Sequence, residues 1–269
     1  MKYLILIVYV FTVKCHALVI DLASDYDTSI SYGPTDVAMT LLIKVQNKLD
    51  GKLIFNHIAA SRIREWRELD SHPSTCLYNK AKTPQRERQA IYGKYPLMAF
   101  PANRLIINGG LSLPQTISIE DVISKYGLQL GIAKGRSYGE GVDNILAQKK
   151  HHIFSNEGAN SSIRLRKMLL QGKVDAIIEY APVFQNEYPS ESQSGEITFH
   201  KIAGAKEVTF GYIVCADSEI GHQAIKLFDD AMRDPKLQSD IVKSHEGLFF
   251  EQESAIIRQA LLDEFLVQE

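Results

Sequence analysis

"GIAKGRSYGEGVDNIL", residues 131–146, decides how the rest of the chain is read. An apolar run from Leu128 to Ala133 meets Gly135; a polar turn follows, and Val142, Ile145 and Leu146 then recur at helical spacing. A glycine-hinged turn from strand to helix points backbone N–H groups at the helix N-terminus, where an anion is favoured. Three anions suit such a turn: a phosphate, a bound solute, or a capping side chain of the protein itself.

The flanking sequence repeats the strand-then-helix pattern. Upstream, "LVIDLA" (18–23) reads as a buried strand and "DVAMTLLIKVQNKL" (36–49) as a helix with Val37, Leu41, Leu42 and Val45 on one face. "KLIFNHIA" and "SRIREWRELD" give a second strand and helix. A polar stretch leads to "YPLMAFPANRLIIN", irregular at first and strand-like to Ile107. The alternation restarts with a short helix over 118–127, capped by Ser118 and stopped by Gly127. Strands are then expected in "LQLGIA", "HHIFSN", "KVDAIIEY", "ITFHKIA" and "VTFGYIVCAD". Helices are expected in "GEGVDNILAQ", "SSIRLRKMLLQG", "EIGHQAIKLFDDAMRD" and "SAIIRQALLDEFL", and a surface turn in "NEYPSESQSGE". The alternation predicts a parallel α/β chain. The restart near residue 108 suggests a second lobe, with one continuous sheet as the alternative.

The N-terminus "MKYLILIVYVFTVKCHA" has a basic start at Lys2, an apolar core from Tyr3 to Val13 and a Cys15-x-Ala17 ending, the pattern of a secretory signal over 1–17. The apolar core falls well short of the roughly 20 residues that span a bilayer. A buried first strand running into "ALVIDLA" is the alternative. Without Lys2 and Lys14, the 30 basic residues fall to 28 against 32 acidic ones, so an exported, soluble chain is expected to be mildly acidic. With no basic excess, no nucleic-acid partner is expected. Cys15 lacks a lipoprotein context. Cys76 and Cys215 remain, and in an oxidising compartment they either pair or stay as two buried free thiols, the simpler expectation. Neither has a second thiol or a histidine at ligand spacing, so no metal is expected.

Two further segments carry candidate chemistry. In "KTPQRERQAIYGKYP" (82–96), Thr83 caps a turn that begins at Pro84. Arg86 and Arg88 lie near its positive end, where a bound anion would offset the unfavourable dipole; otherwise both are solvated surface charges. In "QGKVDAIIEYAP" (171–182), Glu179 ends an apolar strand at the edge where open α/β sheets bind ligands; a solvated carboxylate is the alternative. No catalytic group set emerges. The seven histidines after residue 17 lack an H-E-x-x-H or nucleophile-elbow context, and His151 and His152 point to opposite faces if strand-borne. "GRSYGEG" lacks the lysine and final Ser/Thr of a P-loop, and "GIAKGRSYG" does not fit G-x-G-x-x-G. No cofactor is expected.

Together, Thr83-Pro84-Gln85-Arg86, "LGIAKGRSYG" and "GKVDAIIEY" resemble the T-x-x-R element, second-lobe turn and G-x-(apolar)-D-A segment of extracytoplasmic solute-binding proteins of ABC importers, the polar amino-acid-binding family. The match is closest to a branch with a Cys before K-T-x-x-R-E, a G-R-S-Y-G turn and an aromatic strand ending in Cys, here Cys76, Lys82–Glu87, Gly135–Gly139 and "GYIVCAD". The resemblance implies a two-lobed periplasmic-binding-protein-like (type II) α/β fold with two crossover strands. Lobe one would hold residues 18–107 and 206–269, and lobe two residues 108–205. It implies a small carboxylate-bearing ligand, an amino acid or organic acid, held between the lobes of a monomer in the periplasm and passed to an ABC permease. A sensor for a membrane signalling partner and a dehydratase-like enzyme on the same scaffold are the alternatives.

By the same resemblance Arg86 would hold the ligand carboxylate, the Arg136–Ser137 turn with the Ser137 hydroxyl would donate from the facing lobe, and Glu179 would receive an α-ammonium. Thr83, Asn79 and Tyr138 complete the expected site. Arg64 and Trp66 are further candidates, with core packing the favoured role for Trp66. Three departures bear on the ligand. "SDYDTSISYGPTD" replaces the aromatic-rich first loop, and Tyr78, Asn79 and Ala81 replace small hydroxyl residues. Arg136 stands where members often carry a small polar residue, which suggests a ligand with an extra acidic group.

Overall fold

The structure is a computed structural model that describes residues 17–25 and 34–268. The signal segment expected over 1–17, apart from Ala17, and most of the "SDYDTSISYGPTD" loop lie outside the described residues. No helix among the described residues is long and apolar enough to cross a membrane.

The chain opens with β1 (Leu18–Ser24), α1 (Pro34–Lys48), β2 (Leu53–Ala59), α2 (Arg62–Ser71), β3 (Thr75–Lys80), α3 (Pro84–Glu87) and β4 (Ala90–Pro101). It continues through β5 (Arg104–Asn108), β6 (Thr116–Ile117), a π-helical turn at Asp121–Lys125, β7 (Leu130–Ala133), α4 (Glu140–Gln148), a 3-10 turn at Lys150–His152 and β8 (Ile153–Asn156). Then follow α5 (Ser161–Leu170), β9 (Ala176–Glu179), α6 (Ala181–Glu187), α7 (Pro189–Gln193) and β10 (Ile197–Ile202). The last elements are β11 (Val208–Ala216), α8 (Glu219–Met232), α9 (Pro235–Lys243) and α10 (Glu251–Val267).

Two sheets result. One has the order β2-β1-β3-β11-β4, the other β6-β10-β5-β9-β7-β8. The chain passes from the first to the second through Ala102 and Asn103 and returns between Ile202 and Val208. The purely parallel reading is corrected. β1 pairs parallel with β2 and β3, and β7 with β8 and β9, but β11 runs antiparallel to β3 and β4, and β5 to β9 and β10. β5 and β11, the strands that follow the two crossings, each insert between two neighbours and run opposite to both. The result is a mixed α/β fold.

Both faces of each sheet are covered, so strand side chains alternate between two cores. In β5, Leu105 and Ile107 pack with Leu130 and Val142 on one face, while Ile106 packs with Leu165, Ile177 and Phe184 on the other. In β1, Ile20 and Leu22 join Leu41, Leu42 and Val45 of α1, and Ala23 faces Leu69, Leu77 and Val214.

Several local expectations are corrected. "YPLMAFP" is the second half of the continuous strand β4, and the polar stretch before it contains β3. The surface turn "NEYPSESQSGE" contains the end of α6 and all of α7, with Pro182 and Pro189 in first-turn positions that prolines favour. The helix over 118–127 is a π-helical turn, although Ser118 Oγ does accept from Asp121 N at 3.0 Å. His151 and His152 lie in the 3-10 turn rather than on a strand. The expectation of free thiols also fails. Cys76 of β3 and Cys215 of β11 are cross-strand partners, fully buried, and form a disulfide.

Candidate functional site

The turn 134–139 and the α3 segment face each other across a cleft of about 360 Å³ between the parts built on the two sheets. From the first side come Thr83, Arg86 and Trp66; from the second come Gly135, Arg136, Ser137, Tyr138 and Asp143.

The first wall is formed as the sequence suggests. Thr83 Oγ1 accepts from Arg86 N at 3.3 Å, Pro84 opens the turn, and Arg86 projects from it. Its guanidinium donates to Ala81 O at 3.3 Å and across the cleft to Gly135 O at 3.0 Å. It lies 4.8 Å from the Trp66 ring centroid, a cation–π distance. Trp66 therefore serves the cleft as well as the core, whereas Arg64 is exposed and pairs with Glu68. Among the described residues no carboxylate pairs with Arg86. Burial lowers its pKa, the sign of a cation short of a countercharge, although a guanidinium stays charged.

The second wall begins with the glycine hinge. Gly135 sits at φ 82°, a conformation that side chains resist, and an added Cβ would come within 3.1 Å of Arg62 Cβ. Asp143, in the first turn of α4, fills part of the anion role: Oδ1 accepts from Tyr138 N at 2.8 Å and Oδ2 from Ser137 Oγ at 2.5 Å. Ser137 Oγ also accepts from Gly139 N at 3.3 Å, so its hydroxyl proton is committed to Asp143. The N–H groups of Gly135 and Ser137 have no acceptor among the described residues. Part of the turn is thus capped by the protein, and two donors are left over.

Behind this wall lies a buried ion network. Glu179, 4 % exposed, meets Arg136 at 2.8 Å through one carboxylate oxygen and Arg166 at 2.9 Å through the other. Arg166 also binds Glu187 at 2.6 Å, so two cations face two anions. Arg136 donates to Asn103 Oδ1 at 3.1 Å and lies between the rings of Tyr138 and Tyr180, at 5.0 and 4.9 Å. Burial opposes ionisation of Glu179, but Arg136 and Arg166 outweigh it and hold its carboxyl below the usual value. Both oxygens of Glu179 are engaged within the protein, and Glu179 does not line the cleft.

Asn79 does not line it either. It is the penultimate residue of β3, at φ 57°, and lies against Gly211 of β11, where an added Cβ would sit 2.0 Å from Asn79 Oδ1. Of the expected residues, Thr83, Arg86, Arg136, Ser137 and Tyr138 therefore come together, and Asn79 and Glu179 lie apart. Asp143, Arg166 and Asn103 escaped the sequence reading because their partners are distant in sequence or belong to a turn whose shape had to be known. Among the described residues no group of three metal-binding side chains forms.

No family model and no curated protein matches the sequence. Solved structures do share the fold. ArtJ, an arginine-, lysine-, histidine-binding protein from Geobacillus stearothermophilus, has a TM-score of 0.61 at 16% identity, over 88% of this chain and 98% of its own. AbpA of Streptococcus pneumoniae, an amino acid ABC transporter substrate-binding protein solved with L-arginine, has 0.57 at 16% identity, over 94% and 95%. A histidine kinase sensor domain with similarity to periplasmic binding proteins has 0.63 at 10% identity, over 87% and 97%. The chain shares the periplasmic-binding-protein fold of these structures.

Proposed function

We propose that this chain is an exported receptor that encloses a small carboxylate-bearing solute between two lobes and delivers it to an ABC permease. The observation that carries this reading is Arg86, a half-buried guanidinium that lines the cleft without a carboxylate partner among the described residues. A carboxylate there makes a charge-assisted, bidentate pair. The N–H groups of Gly135 and Ser137 are the facing donors, so both walls contact the same solute and its binding favours closure. Thr83 fixes the turn that aims Arg86. Tyr138, Arg136 and Glu179 brace the opposite wall from behind.

In this reading the lobes divide where the chain changes sheets, at 102–103 and 203–207, close to the 107/108 and 205/206 boundaries expected from sequence. The monomer works in the periplasm after loss of residues 1–17, and it catalyses nothing. The sensor-domain neighbour favours one second reading, a ligand reporter for a membrane signalling partner, which would use the same cleft.

The test is a thermal-shift screen of the chain from Leu18 against amino acids, organic acids and short peptides. A ligand at ~100 times its Kd stabilises by about 2.7 kcal/mol, or several degrees for a chain of this size. A selective shift that Arg86→Ala abolishes supports the receptor. A shift that survives Arg86→Ala removes Arg86 from the site, and no shift with any probe contradicts the reading.

A further inference from the structure

Trp66 is the chain's one tryptophan, and it lines the cleft on the first wall. It sits within α2 and packs against the core cluster of Ala23, Leu69, Leu77 and Val214. The residue before it fixes that helix. Glu65, 1 % exposed, accepts from Lys80 Nζ of β3 and from Asp25 N at 2.9 Å. The indole is therefore held by a rigid frame, and Arg86 Cζ lies over its ring at 4.8 Å from the centroid.

Arg86 needs such a support. It stands on α3, a single turn of four residues, and its long side chain turns about several bonds. The guanidinium donates to Ala81 O at 3.3 Å and to Gly135 O at 3.0 Å. The second bond crosses the cleft, so it exists only while the walls are close. On its own wall the cation keeps one long bond, to a carbonyl that also accepts from Tyr92 Oη at 3.1 Å, and the face of Trp66. A guanidinium over an indole is attracted by the ring's negative face, and its flat shape stacks where an ammonium would not. Two of its five N–H groups are used within the protein, which leaves three in the same plane for a carboxylate.

We propose that Trp66 is a positioning residue for carboxylate recognition: its indole face sets the plane of the Arg86 guanidinium on the first wall before a solute arrives. This rests on the carboxylate-receptor reading above and deepens it, because it accounts for how Arg86 is aimed while the cleft is open. Ordering a long side chain in advance removes a cost that binding would otherwise meet. Burial lowers the Arg86 pKa, and the ring face stands in for part of the water that the cation has lost.

The first arm of the test needs no solute. With no other tryptophan in the chain, emission reports this ring alone. Wild type and Arg86→Ala are quenched with iodide, an anion, and with acrylamide, which is neutral, at constant ionic strength. A guanidinium on the ring draws iodide to it, so the ratio of iodide to acrylamide quenching constants should fall about twofold or more in Arg86→Ala. An unchanged ratio would overturn the stack and the inference with it.

The second arm is titration calorimetry on wild type, Trp66→Leu and Trp66→Phe, with folding checked by circular dichroism. The probes are the twenty L-amino acids, succinate, malate and 2-oxoglutarate. Trp66→Leu keeps an apolar side chain on the core and removes the ring. It should weaken the probe that wild type binds best by about fivefold or more, and Trp66→Phe, which restores a ring face, should recover most of that loss. Wild-type affinity in Trp66→Leu would make Trp66 a core residue only and overturn the inference while sparing the receptor. Equal losses in the two variants would assign the effect to packing and do the same. If Trp66→Leu fails to fold, the quenching ratio decides. Binding of no probe by wild type would contradict the receptor reading itself, and the inference with it.

Discussion

Glu179 shows how one buried carboxylate stabilises and orients a whole wall. Two arginines converge on it from the turn after β7 and from α5, and neither is exposed enough for water to replace it. Glu179→Gln leaves two buried guanidiniums facing one carboxylate, and removal of one partner from a buried pair costs about 3–5 kcal/mol. Urea unfolding of the variant should show a loss of that size; a loss under about 1 kcal/mol would mean that the network is replaceable. The pH dependence has a fixed sign. The Glu179 carboxyl is held below its ordinary value of 4.5, so its contribution is fully present above that pH and disappears as pH falls through the lower folded-state value. Wild type should therefore lose stability more steeply than Glu179→Gln below pH 4.5, and parallel acid limbs would contradict the pairing. In the sequence, Glu179 was visible as a carboxylate at a strand end, but not its partners. Arg136 and Arg166 lie 43 and 13 residues away, and only the fold brings them to one point.

The strands and helices whose apolar spacing is clean were legible: α1, α5, α8 and β7 fall within a few residues of their expected bounds. The misses share a cause, which is that the deciding contact is non-local. β4 carries Pro96 and Pro101, yet its neighbour β11 shifts register twice and accommodates it. The pairing of Cys76 with Cys215 needed the antiparallel return of β11 beside β3, a contact spanning 139 residues. Closing a loop of that size restricts the unfolded chain, and removing such a crosslink costs about 2–5 kcal/mol. Cys76→Ala combined with Cys215→Ala should lower the urea midpoint accordingly, with an unchanged midpoint as the contrary result. Gly211, also on β11, gives a sharper local case. A Cβ there meets Asn79 Oδ1 at 2.0 Å, so Gly211→Ala should destabilise by 1–3 kcal/mol as overpacking does. Wild-type stability in that variant would contradict the packing described.

Across the molecule, the parts built on the two sheets meet through a few polar bridges as well as through the chain crossings. Arg86 donates to Gly135 O, Arg62 to Ser161 Oγ at 2.9 Å, and Asn160 N to Asp25 Oδ1 at 3.3 Å. Arg62 and Asp25 are themselves 3.4 Å apart, so one small cluster bridges the parts built on the two sheets. These bonds form only when the walls are close, and they add to what a bound solute contributes to closure. Arg62→Ala should speed ligand release severalfold in stopped-flow measurements while Arg86 still supports binding; an unchanged release rate would show that the cluster does not hold the cleft shut. The measurement that bears most directly on the receptor is calorimetric titration of the best screened solute into wild type and Arg86→Ala, with folding of both checked by circular dichroism. A folded Arg86→Ala protein that has lost about 100-fold or more in affinity is the predicted result. A folded variant that binds as tightly as wild type would contradict it.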